Sequence, residues 1–229
     1  IAQTTSMKAN LVARGIDPAK IKVIMNAVDI QKYQPIIVKN AAIQSQHDLT
    51  GKFVVGYIGT HGMSQDLIKV IDTAKLVEAK SRDIVFLFVG DGAEKASIMD
   101  YAKQQGVNNT LFISQQPKAD IQNWWAVCDV ALVHLKDLAI FTTVIPSKIF
   151  EAAGLGLPVV LVAPQGEASE LINKEGFGIH ILPQQPEIFA QQIIDLASNP
   201  AKMRTLREAS IAASKIYNRE NQAREFMHT

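Results

Sequence analysis

Short apolar runs alternate along this chain with longer amphipathic stretches. Seven apolar runs have the length of a β-strand, and they cover residues 21–29, 53–59, 84–92, 110–114, 129–135, 157–163 and 177–183. Most of them are followed by stretches in which apolar positions recur with helical spacing. The runs are apolar on both faces, which is typical of a parallel sheet that helices cover on both sides. The pattern therefore predicts an α/β fold with a Rossmann-like, doubly wound parallel sheet.

The two ends of the chain depart from this alternation. Two helical stretches, 186–199 and 201–217, follow each other with no strand between them, which predicts a C-terminal helical extension over residues 185–229. Residues 36–52 form the most loop-like stretch. The chain starts at Ile1 without a methionine and reads like the inside of a domain, so we expect it to be a fragment of a longer protein.

Composition and charge exclude several classes of function. The net charge is +1, with 23 basic and 22 acidic residues and no basic block, so we expect no nucleic-acid partner. The longest apolar runs are much shorter than the roughly 18 residues that a membrane span needs. Cys128 is the one cysteine and lies in an apolar segment, which favours an inert buried thiol and agrees with a reducing compartment.

Polar and glycine-rich residues follow several of the predicted strands. They are Gly59, Thr60, His61 and Gly62 after the second run, Gly90, Asp91 and Gly92 after the third, and Ser114, Gln115, Gln116, Pro117 and Lys118 after the fourth. In an open parallel sheet, ligands bind beyond the carboxyl ends of the strands. The turn at 59–62 is either a tight strand-to-helix connection or a backbone cradle for a phosphate. The turn at 90–92 is favoured as a simple Asp-Gly turn.

The segment "VIPSKIFEAAGLGLPVVLV", residues 144–162, places two opposite charges in an apolar setting. Pro146 is predicted at the first helical position, which leaves the amides of Ser147 and Lys148 without partners inside the helix. These amides, the Lys148 ammonium and the helix dipole all favour an anion. Glu151 lies one turn further along. The two side chains either pair with each other or hold a ligand that offers a phosphate to Lys148 and hydroxyls to Glu151.

A second helix is predicted to begin near Gly166, with Glu167 and Glu170 in its first turn. Acidic residues are expected there from the helix dipole alone. The alternative is that Glu167 or Glu170 binds sugar hydroxyls.

Taken in order, these segments resemble a known family. The runs "IKVIMNAVD", "FVVGYIGTHG", "FLFVGDG", "IPSKIFEAAGLGLPVVL" and "GEASELI" are similar to the C-terminal, nucleotide-sugar-binding domain of retaining glycosyltransferases of family 4 with the GT-B fold. Within that group the chain resembles the bacterial enzymes of surface polysaccharide (O-antigen or capsule) synthesis. The resemblance covers nearly the whole chain, and the "PSKIFE" segment is its most specific part.

The resemblance implies a role for ten residues in binding a nucleotide diphosphate sugar. They are Gly59, Thr60, His61 and Gly62 beneath the diphosphate, Gln115 near the base, Ser147 and Lys148 along the diphosphate, Glu151 at the ribose hydroxyls, and Gly166 and Glu167 at the sugar or its phosphate. It implies no catalytic residue in this chain, no metal and no cofactor, since the nucleotide sugar, by default a UDP-sugar, is a substrate.

Two departures from the family pattern stand out. The family often has a second glutamate eight positions before the one at Glu151, but residue 143 is a threonine. The family's arginine and lysine in the turn after the second strand are also absent, because "THGMSQD" contains neither. We therefore expect helix N-termini, His61 and Lys148 to neutralise the diphosphate.

The resemblance also implies a larger enzyme that transfers a hexosyl or N-acetylhexosaminyl group. Residues 1–20 would be the last helix of a preceding N-terminal half, residues 21–184 the nucleotide-sugar-binding domain, and residues 185–229 the helical extension. The missing half would bind a saccharide or lipid-linked acceptor, so the chain alone is expected to bind donor without transferring sugar. The expected location is the cytoplasm, and a peripheral position at the inner face of the plasma membrane is the alternative.

Two other hypotheses about the function make different predictions. Another Rossmann-like enzyme of nucleotides or nucleotide sugars would carry GxGxxG after its first strand, and no such motif occurs. A non-catalytic α/β module that binds a protein partner would bind no nucleotide diphosphate.

Overall fold

The computed structural model describes residues 1–227 and contains one six-stranded sheet. Its strands are β1 (Phe53–Ile58), β2 (Ile84–Val89), β3 (Thr110–Ile113), β4 (Val130–His134), β5 (Val159–Val162) and β6 (Gly178–Ile181). All neighbouring strands are parallel. The predicted doubly wound α/β sheet is thus confirmed.

The strands lie in the order β3-β2-β1-β4-β5-β6. The order reverses direction between β1 and β4, where Val55 pairs with Val130 and Gly56 with Ala131. In such a sheet the crevice at this switch point, outside the carboxyl ends of the strands, is the usual place for a ligand. The loops after β1 and β4 therefore lie where a ligand of such a sheet usually binds.

Ten helices surround the sheet within the described residues. They are α1 (Thr5–Ala13), α2 (Ala41–Gln46), α3 (Leu67–Glu78), α4 (Lys95–Gln104), α5 (Ile121–Trp125), α6 (Ser147–Gly154), α7 (Glu167–Glu175), α8 (Pro186–Ala197), α9 (Pro200–Ile216) and α10 (Arg219–Met227). Short 3₁₀ turns cover Pro18–Lys20, Met63–Gln65 and Ala139–Thr143.

The core has one apolar cluster on each face of the sheet. On one face α3, α4 and α8 bury residues such as Ile71, Ile98 and Ile193. On the other face α5, α6 and α7 bury Trp125, Phe150 and Ile172. The predicted C-terminal extension is packed onto both faces, because α8 contacts α3 and α9 contacts α6.

The region before β1 differs from its prediction. Residues 21–29 form no strand of the sheet and make isolated bridges, one from Val23 to Ala2 and one from Val28 to Asn218. The buried positions Ile21, Ile24 and Val28 explain the apolar signal, since they pack inward without a continuous partner strand. The loop-like stretch 36–52 contains α2, whose first turn is capped by the Asn40 side chain.

Three side chains that could take part in binding or chemistry are instead buried in the core. Trp124 and Trp125 are both buried, and the Cys128 thiol is buried and donates to the Trp124 carbonyl at 3.3 Å. Burial raises the pKa of Cys128 well above its usual range. The inert thiol expected from the sequence is therefore confirmed.

Residues 1–227 contain neither a membrane-spanning helix nor a cluster of metal ligands. None of the helices there has the length and apolar character to cross a bilayer. In the same part of the chain, no group of three or more His, Cys, Asp or Glu side chains is placed to hold a metal ion.

Candidate functional site

The turn after β1 and the beginning of α6 meet at the switch point of the sheet. α6 follows β4, and β4 lies next to β1, so two segments nearly ninety residues apart in sequence share one edge. The contact is close: a Cβ added to Gly59 would lie 2.5 Å from Nζ of Lys148. The structure thus brings together two residues that the sequence assigned separately to one site.

A cleft of about 540 Å³ opens at this edge. Three of its lining residues were expected from the sequence, namely Gly59, Thr60 and Gln115. The others are Ile58, Val89, Gly90, Asp91, Gly92, Gln116, Lys118 and Ile121. The cleft therefore spans the loops after β1, β2 and β3, with Lys148 against its Gly59 side.

Glycine is required where these loops touch. Gly59 has φ of +153°, and a Cβ on Gly90 would lie 2.0 Å from the carbonyl oxygen of Gly59. No side chain fits in that space, so the two backbones approach each other directly and form the floor of the cleft. The Gly90–Gly92 turn is hence part of the cleft wall, a role that a simple turn would not have.

The N-terminus of α6 presents unused backbone donors. Pro146 is the N-cap and α6 begins at Ser147, one residue later than predicted, and no side chain of the described residues caps the helix. The amides of Ser147 and Lys148 make no hydrogen bond within the described residues. Lys148 is half-buried, and its ammonium has no hydrogen-bond or ion-pair partner within residues 1–227. Unpaired donors, a helix dipole and an ammonium together suit an anion.

Glu151 is a half-buried carboxylate one turn along α6. Its carboxylate makes no hydrogen bond or ion pair within the described residues, so the direct pair with Lys148, one of the two alternatives considered from the sequence, does not form. Burial raises the pKa of Glu151, while the charges of Lys148, Lys32, Lys118 and Arg219 oppose that rise. The carboxylate is thus an unused acceptor beside several cations.

His61 occupies a different place from the one expected. Its side chain is fully buried between the rings of Tyr57 and Phe88, and neither ring nitrogen has a hydrogen-bond partner. Burial, with a smaller effect of Lys95, lowers the pKa of His61 to about 4. The imidazole is therefore neutral at pH 7, and the expectation that it neutralises a diphosphate is corrected. Its backbone matters more, because its amide and carbonyl bond to Asp91 and Glu94.

Gly166 and Glu167 are engaged with other segments. A Cβ on Gly166 would lie 2.0 Å from the Thr142 carbonyl oxygen, and the Gly166 amide donates to Ser169 Oγ at 2.9 Å. Glu167 Oε1 accepts the backbone N–H of Ser6 at 2.5 Å. The proposed sugar contact of Glu167 stays a prediction, and it competes with this cap on α1.

The remaining predicted positions lie near the cleft without lining it. Gly62 caps the 3₁₀ turn Met63–Gln65 in an extended conformation, and Ser147 is exposed at the start of α6. Thr143, at the position of the family's additional glutamate, donates its hydroxyl to Ile140 and accepts from Thr4 Oγ1 at 2.7 Å through its carbonyl.

From the sequence, Lys118 was named but given no role, and Gly90–Gly92 was favoured as a simple turn, whereas both line the cleft. The signal was present, since both segments follow strands that end at the same edge. Their contribution was hidden because the sequence does not say that β2 and β3 lie beside β1 on the same side of the switch point.

Known proteins resemble this chain in sequence and in fold. Residues 39–213 match the model of the family described as glycosyl transferases group 1. A probable glycosyltransferase, WbjE of Pseudomonas aeruginosa, is 27% identical over 191 residues, which are 83% of this chain and 47% of that protein. The putative colanic acid biosynthesis glycosyl transferase WcaI of Escherichia coli is 25% identical over 227 residues, 97% of this chain and 54% of that protein. The chain thus spans about half the length of these relatives.

Solved structures share the fold at low sequence identity. Anabaena Alr3699/HepE in complex with UDP has a TM-score of 0.86 and 20% identity over 99% of this chain and 62% of its own. WaaG, a glycosyltransferase involved in lipopolysaccharide biosynthesis, has a TM-score of 0.76 and 17% identity over 93% of this chain and 57% of its own. These neighbours have the GT-B fold, which the chain matches over one part.

The isolated C-terminal domain of a Francisella tularensis group 1 family protein, LpcC, has a TM-score of 0.70 and 18% identity, and the match covers 84% of this chain and all of that domain. The family model covers three quarters of the chain and contains every segment of the cleft. The chain belongs to the glycosyl transferases group 1 family.

Proposed function

We propose that this chain is the domain of a retaining glycosyltransferase that binds the nucleotide diphosphate sugar. The observation that carries the proposal is the contact between Lys148 and Gly59 at the switch point, beside the unpaired carboxylate of Glu151. A group 1 glycosyltransferase needs a site for a doubly charged diphosphate and a ribose, and this edge offers a cation, free amides and an acceptor.

Each group has a role that follows from its chemistry. The amides of Ser147 and Lys148 and the Lys148 ammonium would bind the diphosphate, because hydrogen bonds from a charged donor to an anion are the strongest in this setting. Glu151 would accept from the ribose hydroxyls. The floor at Gly59 and Gly90 would let the ligand approach the backbone, and Gln115 would lie near the base.

UDP is the proposed nucleotide. Alr3699/HepE, whose fold this chain shares, has been solved with UDP and with UDP-glucose. The donor would bind without a metal, and its charge would be met by α6 and by lysines.

The whole enzyme is proposed to act in surface polysaccharide synthesis, transferring a hexosyl or N-acetylhexosaminyl group with retention of configuration. This agrees with the name of its relative WcaI, which refers to colanic acid biosynthesis. The acceptor, a saccharide or a lipid-linked one, would bind to a second half that precedes this chain, so the chain alone would bind donor without transfer. Such an enzyme would work in the cytoplasm, at the inner face of the plasma membrane where a lipid-linked acceptor lies.

Ligand-dependent stabilisation tests the proposal. UDP, GDP, ADP and their glucose conjugates are added to the 229-residue chain, and the melting temperature is measured. At a hundredfold excess over Kd, a ligand adds about 2.7 kcal/mol, which raises the melting temperature of a domain of this size by roughly 5–10 °C. We expect a shift with UDP and UDP-glucose that EDTA leaves unchanged. No shift with any nucleotide at millimolar concentration would favour a partner-binding module instead.

Two variants locate the site. Lys148→Ala and Glu151→Ala are each expected to weaken UDP binding about tenfold or more, the loss typical of one charged hydrogen bond. Lys103→Ala, at an exposed position on α4 outside the cleft, is the matched control. If both site variants bind UDP as tightly as the parent chain in calorimetric titration, the nucleotide binds elsewhere.

A further inference from the structure

We propose that Lys118 is the second cation of the cleft and binds the diphosphate together with Lys148. This inference rests on the proposed function. It assigns to Lys118, in the loop after β3, the positive charge that the turn after β1 does not supply. Lys118 would be a specificity-determining residue for the charged part of the nucleotide.

The turn after β1 contributes no positive charge. Residues 59–66 contain neither lysine nor arginine, and His61 is buried away from the cleft between two aromatic rings. Asp91, which lines the cleft, adds a negative charge. A diphosphate that lies over Gly59 therefore needs cations from other loops, and a single ammonium leaves it under-neutralised.

Lys118 is placed to supply that charge. It lies on the wall of the cleft that also contains Gln115 and Gln116, with the Gly59–Thr60 turn in the same lining. Its side chain is exposed, and its ammonium has no hydrogen-bond or ion-pair partner among residues 1–227. A long, flexible stem lets the ammonium move onto a bound anion at little cost in strain.

The other nearby lysines are less suited. Lys95 donates to the carbonyls of Gly90 at 2.7 Å and Ile113 at 3.1 Å, so it holds the ends of β2 and β3 together. Lys32 lies 5.0 Å from the ring centroid of Tyr33 and is outside the lining of the cleft.

Electrostatics links the two proposed cations through one carboxylate. Glu151 feels the charges of both Lys148 and Lys118, although it forms a direct pair with neither. Glu151 is thus the acidic group whose charge interacts with both proposed cations. A diphosphate would take over that role and leave the carboxylate for the ribose.

The experiment compares a charged and an uncharged ligand. UDP is titrated calorimetrically into the parent chain, Lys118→Gln, Lys118→Arg and Lys32→Gln, and uridine binding is measured by ligand-observed NMR. We expect Lys118→Gln to weaken UDP about tenfold and to leave uridine within about twofold, because one charge-assisted contact to phosphate is lost. Lys118→Arg should restore most of the affinity. Lys32→Gln is the control, because Lys32 also acts electrostatically on Glu151. It should leave the affinity for both ligands unchanged, because Lys32 lies outside the cleft.

The outcomes separate this inference from the proposed function. If the parent chain binds UDP and Lys118→Gln binds it equally well, Lys118 is no ligand and the donor site stands without it. If uridine and UDP weaken together, Lys118 acts on the nucleoside and the inference is wrong. If Lys32→Gln weakens UDP binding as much as Lys118→Gln does, the effect comes from long-range electrostatics, Lys118 makes no direct contact with UDP, and the inference is wrong. If the parent binds no UDP, both the inference and the proposed function fail.

Discussion

Lys148 and Glu151 are charges on a helix whose other side chains are mostly buried. Ile149, Phe150 and Ala152 are in the core, while both charged side chains are half-buried and have no hydrogen-bond or ion-pair partner among residues 1–227. Holding partly desolvated charges without partners lowers stability. A ligand that pairs with both, as we propose for the nucleotide diphosphate sugar, would recover that free energy.

Gly59→Ala tests the closest contact of the site. The new Cβ would lie 2.4 Å from Cε of Lys148, and φ of +153° disfavours any side chain. We expect a loss of roughly 1–3 kcal/mol in unfolding free energy and a fall of at least tenfold in UDP affinity, because Lys148 must move. Denaturant unfolding and calorimetry measure the two effects.

Gly106→Ala is the matched control for that change. Gly106 has φ of +68° and open space around its Cβ position. It should cost roughly 1 kcal/mol in stability and leave UDP binding intact. Normal UDP affinity in Gly59→Ala would mean that Lys148 does not bind the nucleotide from the position seen here.

Glu151→Gln tests the unpaired carboxylate by its pH dependence. The pKa of Glu151 is raised from its ordinary value of 4.5, mainly by burial. The folded state therefore binds this proton more readily than the unfolded state, and Glu151 adds stability as the pH falls through its folded pKa. At pH 7 the glutamine variant should be more stable by about 1 kcal/mol, because its neutral amide avoids the cost of burying a charge. The difference should shrink as the pH approaches 4.5, and a constant difference in chemical denaturation would contradict the unpaired state.

At the scale of secondary-structure elements, the N-termini of α6 and α1 differ in whether their backbone amides have hydrogen-bond partners. Among the described residues no side chain caps α6, and the amides of Ser147 and Lys148 make no hydrogen bond there. α1 is capped twice, since Met7 donates its N–H to Thr4 Oγ1 at 3.2 Å and Ser6 donates to Glu167 at 2.5 Å. An uncapped helix end beside a cleft is available to a ligand, whereas the end of α1 is already satisfied.

Glu167→Ala tests the cap on α1. Losing this acceptor should cost about 0.5–2 kcal/mol and speed hydrogen exchange of the amides in Thr5–Ala13, because α1 has no buried residue to hold it in place. Glu170→Ala, an exposed change in the same turn of α7, is the control and should alter neither quantity. Weaker UDP-glucose binding with unchanged exchange in α1 would instead show that Glu167 binds the sugar.

At the scale of the whole molecule, two buried histidines make the fold sensitive to acid. The pKa values of His61 and His134 are both lowered to about 4, chiefly by burial. Below pH 6.5 the unfolded chain binds protons that the folded protein does not, so stability is lost as the pH falls from about 6.5 toward 4. The loss should be on the order of 2–3 kcal/mol for each histidine.

His61→Leu should remove about half of that loss. The substitution places an apolar group between Tyr57 and Phe88, where the imidazole nitrogens have no partners. His134 stays in the variant and retains its bond to the Gln65 carbonyl, so the other half should persist. Unfolding free energies at a series of pH values measure the slope. An unchanged slope in the variant would mean that His61 titrates near its ordinary value in the folded protein.

The strands of the sheet were readable from the sequence because each is a short run that is apolar on both faces. Six of the seven predicted runs are strands, and the exception, 21–29, shows the limit of the signal. Its buried positions mark a segment packed against the core, and pattern alone does not distinguish such a segment from a strand with neighbours. Likewise, His61 was expected to carry a positive charge, because the residues around it in the sequence do not reveal that its side chain is buried.

The local sequence determined that a helix begins next to Pro146, that Lys148 and Glu151 lie one turn apart on it, and that glycines occupy the turns after β1 and β2, since each of these depends on neighbouring residues only. The tertiary structure decided that β4 lies beside β1, which brings Lys148 onto Gly59, and that the loops after β2 and β3 complete the cleft with Gly90 and Lys118. It also decided that His61 is buried and that Glu167 caps α1. These features depend on strand order and packing between segments distant in sequence, which no local pattern encodes.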